Sequence, residues 1–323
     1  MTTFTDATVA GDAPDASDPV ADDGPTAAAR AAQAPDARDA TDAQLARALG
    51  VRVCDLPAVR SLTAGAATAP DAPPLRLRDL LHRRLRSSVC DDMIDPRALM
   101  AARPRPAERA AAGWPAVPLP VRRPRADMTL ADAIEQRCSS TTYAARPLPL
   151  GDLAALLEDA AGIRGHRPGY NVRDFPVRRA PSAGGLAPVD VHVVANDVSG
   201  LDQGLYYYRP SGPELTVVDS GNMRGKIAEA GIAADWLFHA PAVLCLAVDM
   251  DRVEWKYGVR SYRYVHVDLG VLTQNLYLVA TGLGLACCAV AAFDDDTAND
   301  LLRLDGRNSF VSLLFACGLP GGR

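Results

Sequence analysis

Two hydrophobic periods alternate along the second half of this chain. Leu153, Leu156, Leu157, Ala160 and Ala161 recur at helical spacing and stop at Gly162, which predicts an amphipathic helix with a glycine end. Residues 189–195 are rich in β-formers and run into Asn196-Asp197, a strand and a turn. Residues 204–209 and 214–218, joined across 210–213, predict a hairpin whose first arm carries Tyr206, Tyr207 and Tyr208. Beyond it come a continuous apolar strand at 242–248 and a long helix at 265–283. A strand at 285–291, a short helix at 297–302 and a buried strand at 310–317 follow. Helices and strands mix without a regular βαβ rhythm, which predicts an α+β fold.

The first half reads differently. Residues 1–40 mix Ala, Asp, Pro and Thr with no period, so they bury too little apolar surface to offset ordering entropy and are expected to be a disordered tail. Thr41 and Gln44 form a capping-box pattern ahead of Leu45, Ala48 and Leu49, and Gly50 ends this short helix. An Arg-studded amphipathic stretch at 75–85 precedes a segment, 96–124, with seven prolines, which is expected to run extended over a surface. Three parts follow: the tail at 1–40, a small helical and Pro-rich region at 41–127, and a main domain at 128–323.

Composition narrows the chemistry. The chain has 323 residues, 48% apolar and 23% charged, enough for a substantial core. Its formal charge of −5 is concentrated in the first 44 residues, where nine Asp face only Arg30 and Arg38. The rest is close to neutral and poor in aromatics, which argues against nucleic-acid binding. No apolar run reaches the ~20 residues of a membrane span and the acidic start lacks a signal-peptide pattern, so a cytoplasmic protein with no membrane partner is expected. The seven cysteines contain no C-x-x-C pair and the five histidines no ligand spacing, so no metal site is expected.

Scanning for motifs removes more. Gly282-Leu283-Gly284 follows a helix and lacks the third glycine of a dinucleotide site, and neither a phosphate-binding loop nor a nucleophile elbow is present. Four features remain. Arg137 to Thr142 places a guanidinium and several hydroxyls at a helix end, which suits a phosphate-bearing ligand. Pro181-Ser182-Ala183-Gly184-Gly185 has almost no side-chain bulk, so its backbone can approach a planar ring. Residues 289–293 present small side chains at a strand end, just before Asp294-Asp295-Asp296. Finally, of 34 basic residues only Lys226 and Lys256 are lysines, and Lys256 stands beside a phenol in Trp255-Lys256-Tyr257. Lysine, unlike arginine, can lose its proton in an apolar setting and act as a base.

In this order, these stretches resemble the nitroreductase superfamily, and within it the SagB-type azoline dehydrogenases. The likeness covers about 128–320. Arg137 to Tyr143 with Arg146-Pro147-Leu148 is similar to the opening R-x-S-x-R-x-[FY] motif, and Ala180 to Pro188 to the "PSAGGLYP" segment. Gly204 to Tyr208 is similar to the "GLYHY" strand, residues 264–285 with Gln274-Asn275-Leu276 to the central helix, and Ala291 to Asp295 to "GGFDD". Thr141 stands where the motif has a second arginine, and Ala291-Ala292 where it has two glycines. Lys256-Tyr257 matches a Lys-Tyr pair of the azoline dehydrogenases.

The resemblance implies an α+β sandwich with helices around a mostly antiparallel sheet, forming an interlocked homodimer with FMN. It implies flavin contacts at Arg137, Ser139, Thr141, Pro181, Ser182, Ala183, Gly184, Gly185, Gln274, Ala291 and Ala292. The implied reaction oxidises a thiazoline or oxazoline, on a peptide or a carrier, to the azole, alongside other biosynthetic enzymes. A hydride leaves for FMN and a proton for Lys256 or Tyr257, one of which must have its pKa lowered by burial or a neighbouring cation. Two alternatives stand beside it: a generic NAD(P)H-dependent FMN reductase, and a non-catalytic docking subunit.

Overall fold

A computed structural model of the chain describes residues 113–121 and 128–322, together with His82, Leu85 and Glu108. The chain divides into Met1–Leu80 and Leu81–Arg323, and every element below belongs to the second unit. The expected tail at 1–40, the helix at 41–50 and most of the stretch 75–85 lie outside the described residues.

The described elements begin with β1 (Ala116–Pro118), α1 (Leu130–Gln136), β2 (Leu148–Pro149) and α2 (Leu150–Ala161). Next come β3 (Ile163–Gly169), β4 (Val172–Arg178), β5 (Val189–Ala195), β6 (Val198–Ser199), β7 (Gly204–Arg209) and β8 (Glu214–Ser220). The chain continues through α3 (Arg224–Ala230), β9 (Ala242–Asp249), α4 (Glu254–Tyr257) and α5 (Ser261–Gly282). It closes with β10 (Ala286–Val290), α6 (Asp295–Leu302) and β11 (Ser309–Gly318).

Seven strands form one sheet in the order β1-β8-β7-β5-β9-β11-β10, and all its pairings are antiparallel. The central strand β9 shows why residues 242–248 are uninterruptedly apolar: its faces alternate into two cores. Leu244 and Leu246 join Leu153, Leu156 and Leu157 of α2 and Leu272 and Leu276 of α5. Val243, Cys245 and Ala247 pack with Ile227 of α3 and Ala298 and Leu302 of α6. This is the helix-flanked antiparallel sandwich expected from the sequence, with strand residues of opposite parity serving opposite layers.

The helix predicted to stop at Gly162 does so, and only glycine fits this end, since a Cβ there would collide with the Glu158 carbonyl oxygen. Two features go beyond the sequence reading. Strand β1 joins the sheet edge from upstream of residue 128, hydrogen-bonded to β8 across Ala116–Pro118. Strands β3 and β4 form a separate antiparallel hairpin, with two register shifts and a tip at Tyr170 and Asn171, both at positive φ. The Arg-rich, irregular strands and the lack of glycine at the tip hide the hairpin from pattern reading.

Candidate functional site

The predicted residues gather into two clusters at different points on α5. The first starts where α1 ends. Thr129 caps that helix by accepting from the Asp132 N–H at 3.1 Å, and Arg137 closes it with its own N–H on the Ala133 carbonyl. The chain then turns along β10, where the Ser140 N–H donates to the Cys287 carbonyl at 2.8 Å. Tyr277 of α5 organises this corner. Its hydroxyl accepts the Ala289 N–H at 2.8 Å and lies 3.0 Å from the Ser139 hydroxyl, while the Arg137 guanidinium sits 5.3 Å from its ring centre. Ser139 and Thr141 remain exposed. Ala291 and Ala292 follow β10 and are exposed too, although the Ala292 carbonyl already accepts from Ile232. Gln274 lies on an exposed position of α5. Tyr277 was not singled out from the sequence, since an aromatic inside a long helix reads as core.

The second cluster surrounds the loop from Pro181 to Gly185. Its first turn is pinned by Asp268, whose two carboxylate oxygens accept the Ala183 N–H, and the Ser182 hydroxyl accepts the Ala187 N–H at 2.9 Å. Burial pushes the Asp268 carboxyl up to about 6, against the pull of the Ala183 N–H. Pro181 and Gly184 are exposed, while Ser182, Ala183 and Gly185 are partly buried. Gly184 adopts φ +61°, and a Cβ there would lie 2.6 Å from the hydroxyls of Tyr170 and Tyr257 and 2.8 Å from Lys256 Nζ. Three polar groups thus converge on one glycine. Lys256 Nζ donates to the Tyr170 hydroxyl at 2.5 Å, and that hydroxyl donates to the Gly184 carbonyl at 2.7 Å. Tyr170, from the unpredicted hairpin tip, is the second residue the sequence reading missed.

A buried ion pair holds the Lys256 turn in place. Arg252 is 1% exposed, makes two 2.8 Å bonds to Asp190 of β5, and also donates to the Ala187 carbonyl at 3.2 Å. It therefore ties the Lys256 turn to both the sheet and the far end of the glycine loop. The environment of Lys256 differs from that required of a simple base. Burial pushes its pKa down, but its hydrogen bonds to the Tyr170 and Tyr257 hydroxyls outweigh this and leave it above the ordinary lysine range. Of the two residues expected to share the proton, Lys256 is not the one whose pKa is lowered.

The two clusters meet α5 at different turns. Asp268 and Tyr277 are nine residues apart on α5, about 13 Å along the axis and half a turn out of phase. Among the described residues no group of His, Cys, Asp and Glu is arranged to hold a metal ion, and no helix is long and apolar enough to cross a membrane.

Comparison with known proteins fits this architecture. Residues 134–319 match the model of the nitroreductase family. A Methanocaldococcus jannaschii protein provisionally assigned as a nitroreductase is 32% identical over 178 residues, which cover 55% of this chain and 86% of that one. Among solved structures, a provisionally assigned nitroreductase from Anabaena variabilis superposes with a TM-score of 0.57 at 23% identity, over 79% of this chain and 50% of that one. This chain thus spans about half the length of that relative. A chain of the E. coli microcin synthetase McbBCD complex with truncated pro-MccB17 bound matches with a TM-score of 0.50 at 17% identity, over 88% of this chain and all of that one. The matched span, more than half of the sequence and inclusive of both clusters, makes this chain a member of the nitroreductase family, oxidoreductases that are generally FMN-dependent.

Proposed function

We propose that this protein is an FMN-dependent azoline dehydrogenase, which oxidises a thiazoline or oxazoline ring of a peptide or carrier-bound substrate to the azole. The observation that carries this reading is the convergence of Lys256, Tyr257 and Tyr170 on Gly184. Azoline oxidation removes a proton together with a hydride, and this convergence offers that proton a site beside the small-residue loop.

The residues present fit FMN. Gly184 leaves room that a methyl group would fill, at the small-residue loop suited to a flat ring. Arg137, with the exposed hydroxyls of Ser139 and Thr141, offers a cation and donors suited to the phosphate and ribityl chain. When bound, FMN supplies a two-electron acceptor for the hydride lost by the ring. The chain's own residues handle the rest. The ring carbons lose one hydride and one proton; the proton goes to the oxygen of Tyr257 in its phenolate form, whose negative charge the adjacent Lys256 ammonium stabilises until the proton arrives. Tyr170 and the Gly184 carbonyl fix the ammonium's direction. Arg252 fixes the turn that bears it.

A homodimer completes the site in this reading. The glycine loop and the Arg137 corner meet α5 half a turn out of phase, and in this reading each subunit contributes one of them to a shared flavin site. Tyr262 and Val267 on α5 and Leu130 and Ile134 on α1 are large apolar side chains left exposed, as an interface requires. The E. coli neighbour is part of a synthetase complex, which supports a place among other biosynthetic enzymes. The names of the M. jannaschii and A. variabilis relatives favour a second reading, a generic NAD(P)H-dependent FMN reductase. Anaerobic mixing separates them: reduction of the bound flavin by an azoline peptide but not by NADPH supports the first, and the reverse supports the second.

A further inference from the structure

Resting on that reading, we propose that the β3–β4 hairpin is a recognition arm for an acidic peptide segment flanking the ring to be oxidised. The hairpin is a two-stranded sheet of its own, apart from the main sheet. Residues 163–179 hold five arginines against the single Asp174. Arg178 and Arg179 have carboxylate neighbours, Glu108 and Asp159, each at 3.8 Å. Arg164, Arg167 and Arg173 are exposed, and none of them forms an ion pair with a described residue. Like charges repel one another, and where the described residues supply no ion pair an anionic ligand relieves that repulsion.

The position of the tip separates this arm from an ordinary solvated face. Tyr170 accepts from Lys256 and donates to Gly184, so the hairpin ends on the candidate proton site. Arg167 stands opposite Phe175 in the ladder, which puts both side chains on one face. Arg167 Nη2 and the Phe175 ring both come within 3.9 Å of the point a Gly185 Cβ would occupy. One face of the hairpin therefore covers the glycine loop, with a guanidinium at its margin. A guanidinium takes a carboxylate through two parallel hydrogen bonds, which makes Glu or Asp side chains the fitting partners. Arg167 and Arg164 lie three and six residues from Tyr170, about 10 and 20 Å along an extended strand. An extended substrate would meet them with acidic residues about three and six positions from its ring.

Two fluorescein-labelled peptides test this, each with one thiazoline and either glutamates or glutamines three and six positions before it. Binding to the purified full chain is followed by fluorescence anisotropy, which needs no turnover. The glutamate peptide is expected to bind about tenfold more tightly at low salt. The Arg164→Ser/Arg167→Ser/Arg173→Ser protein should lose that preference while keeping its FMN. Equal binding of the two peptides, or a preference that survives in the triple variant, overturns the proposal. Loss of FMN from the triple variant, or equal competition by an oligonucleotide of the same charge, overturns it as well. Intact charge preference without ring oxidation supports the arm while contradicting the azoline reading.

Discussion

Both carboxylate oxygens of Asp268 accept the backbone N–H of Ala183, at 3.0 and 2.9 Å, so a residue of the long helix sets the start of the glycine loop. Because burial pushes this carboxyl up to about 6, the folded protein holds its proton where the unfolded chain has released it. Stability contributed by that proton is present below the ordinary carboxylate pKa and is lost as pH rises from about 4 to about 6. The Asp268→Asn protein should lack this decline. Thermal unfolding midpoints of the two proteins, compared across that window, are expected to diverge by a few degrees; parallel curves would contradict the assignment.

Gly184→Ala probes the convergence on the loop. The substitution forces a side chain into the left-handed region, at about 1–2 kcal/mol, and drives its methyl into three polar groups. We expect a folded protein, a few degrees less stable, with azole formation reduced by about 100-fold through displacement of Lys256 and the two phenols. Circular dichroism and product formation read the two effects separately.

Breaking the ion pair behind the site should be more costly to the fold. Arg252→Met leaves Asp190 buried, with the Tyr207 hydroxyl at 3.1 Å as a remaining partner, and should destabilise by about 3–5 kcal/mol. Denaturant unfolding measures this. The Asp190→Asn/Arg252→Met double variant should recover part of the loss, because no uncompensated charge then remains inside.

Tyr277→Phe removes the hydroxyl that receives the Ala289 N–H and faces Ser139. The Arg137 corner should then bind FMN about tenfold more weakly, with the fold retained. Titration of flavin-free protein, followed by FMN fluorescence, reports the change; unaltered affinity would remove Tyr277 from the cofactor corner.

Much of this fold was legible because burial leaves a plain mark on sequence. β5 occupies residues 189–195 as predicted, and β9 is apolar from 242 to 248 because both its faces are covered. The scarcity of lysine drew attention to Lys256, and the structure places it among the groups around Gly184. Its partner Tyr170 was illegible: it lies 86 positions away, on a hairpin whose arginines and register shifts obscure the strand period. Tyr277 escaped for the opposite reason. Helical periodicity accounts for an aromatic in α5, and only the tertiary fold shows its hydroxyl turned to Ala289 rather than into the core. The protonation of Lys256 was also beyond sequence, since burial and two phenols act on it in opposite directions.

The central claim is that Lys256 serves oxidation of an azoline ring, and mass spectrometry of the product tests it most directly. The parent protein should convert a thiazoline peptide to a product lighter by about 2 Da, the two hydrogens removed. Lys256→Ala and Lys256→Arg should keep FMN and form that product about 100 to 10,000 times more slowly, since neither places an ammonium between Tyr170 and Tyr257. Product formation at the parental rate in both variants, with flavin bound, would contradict the account.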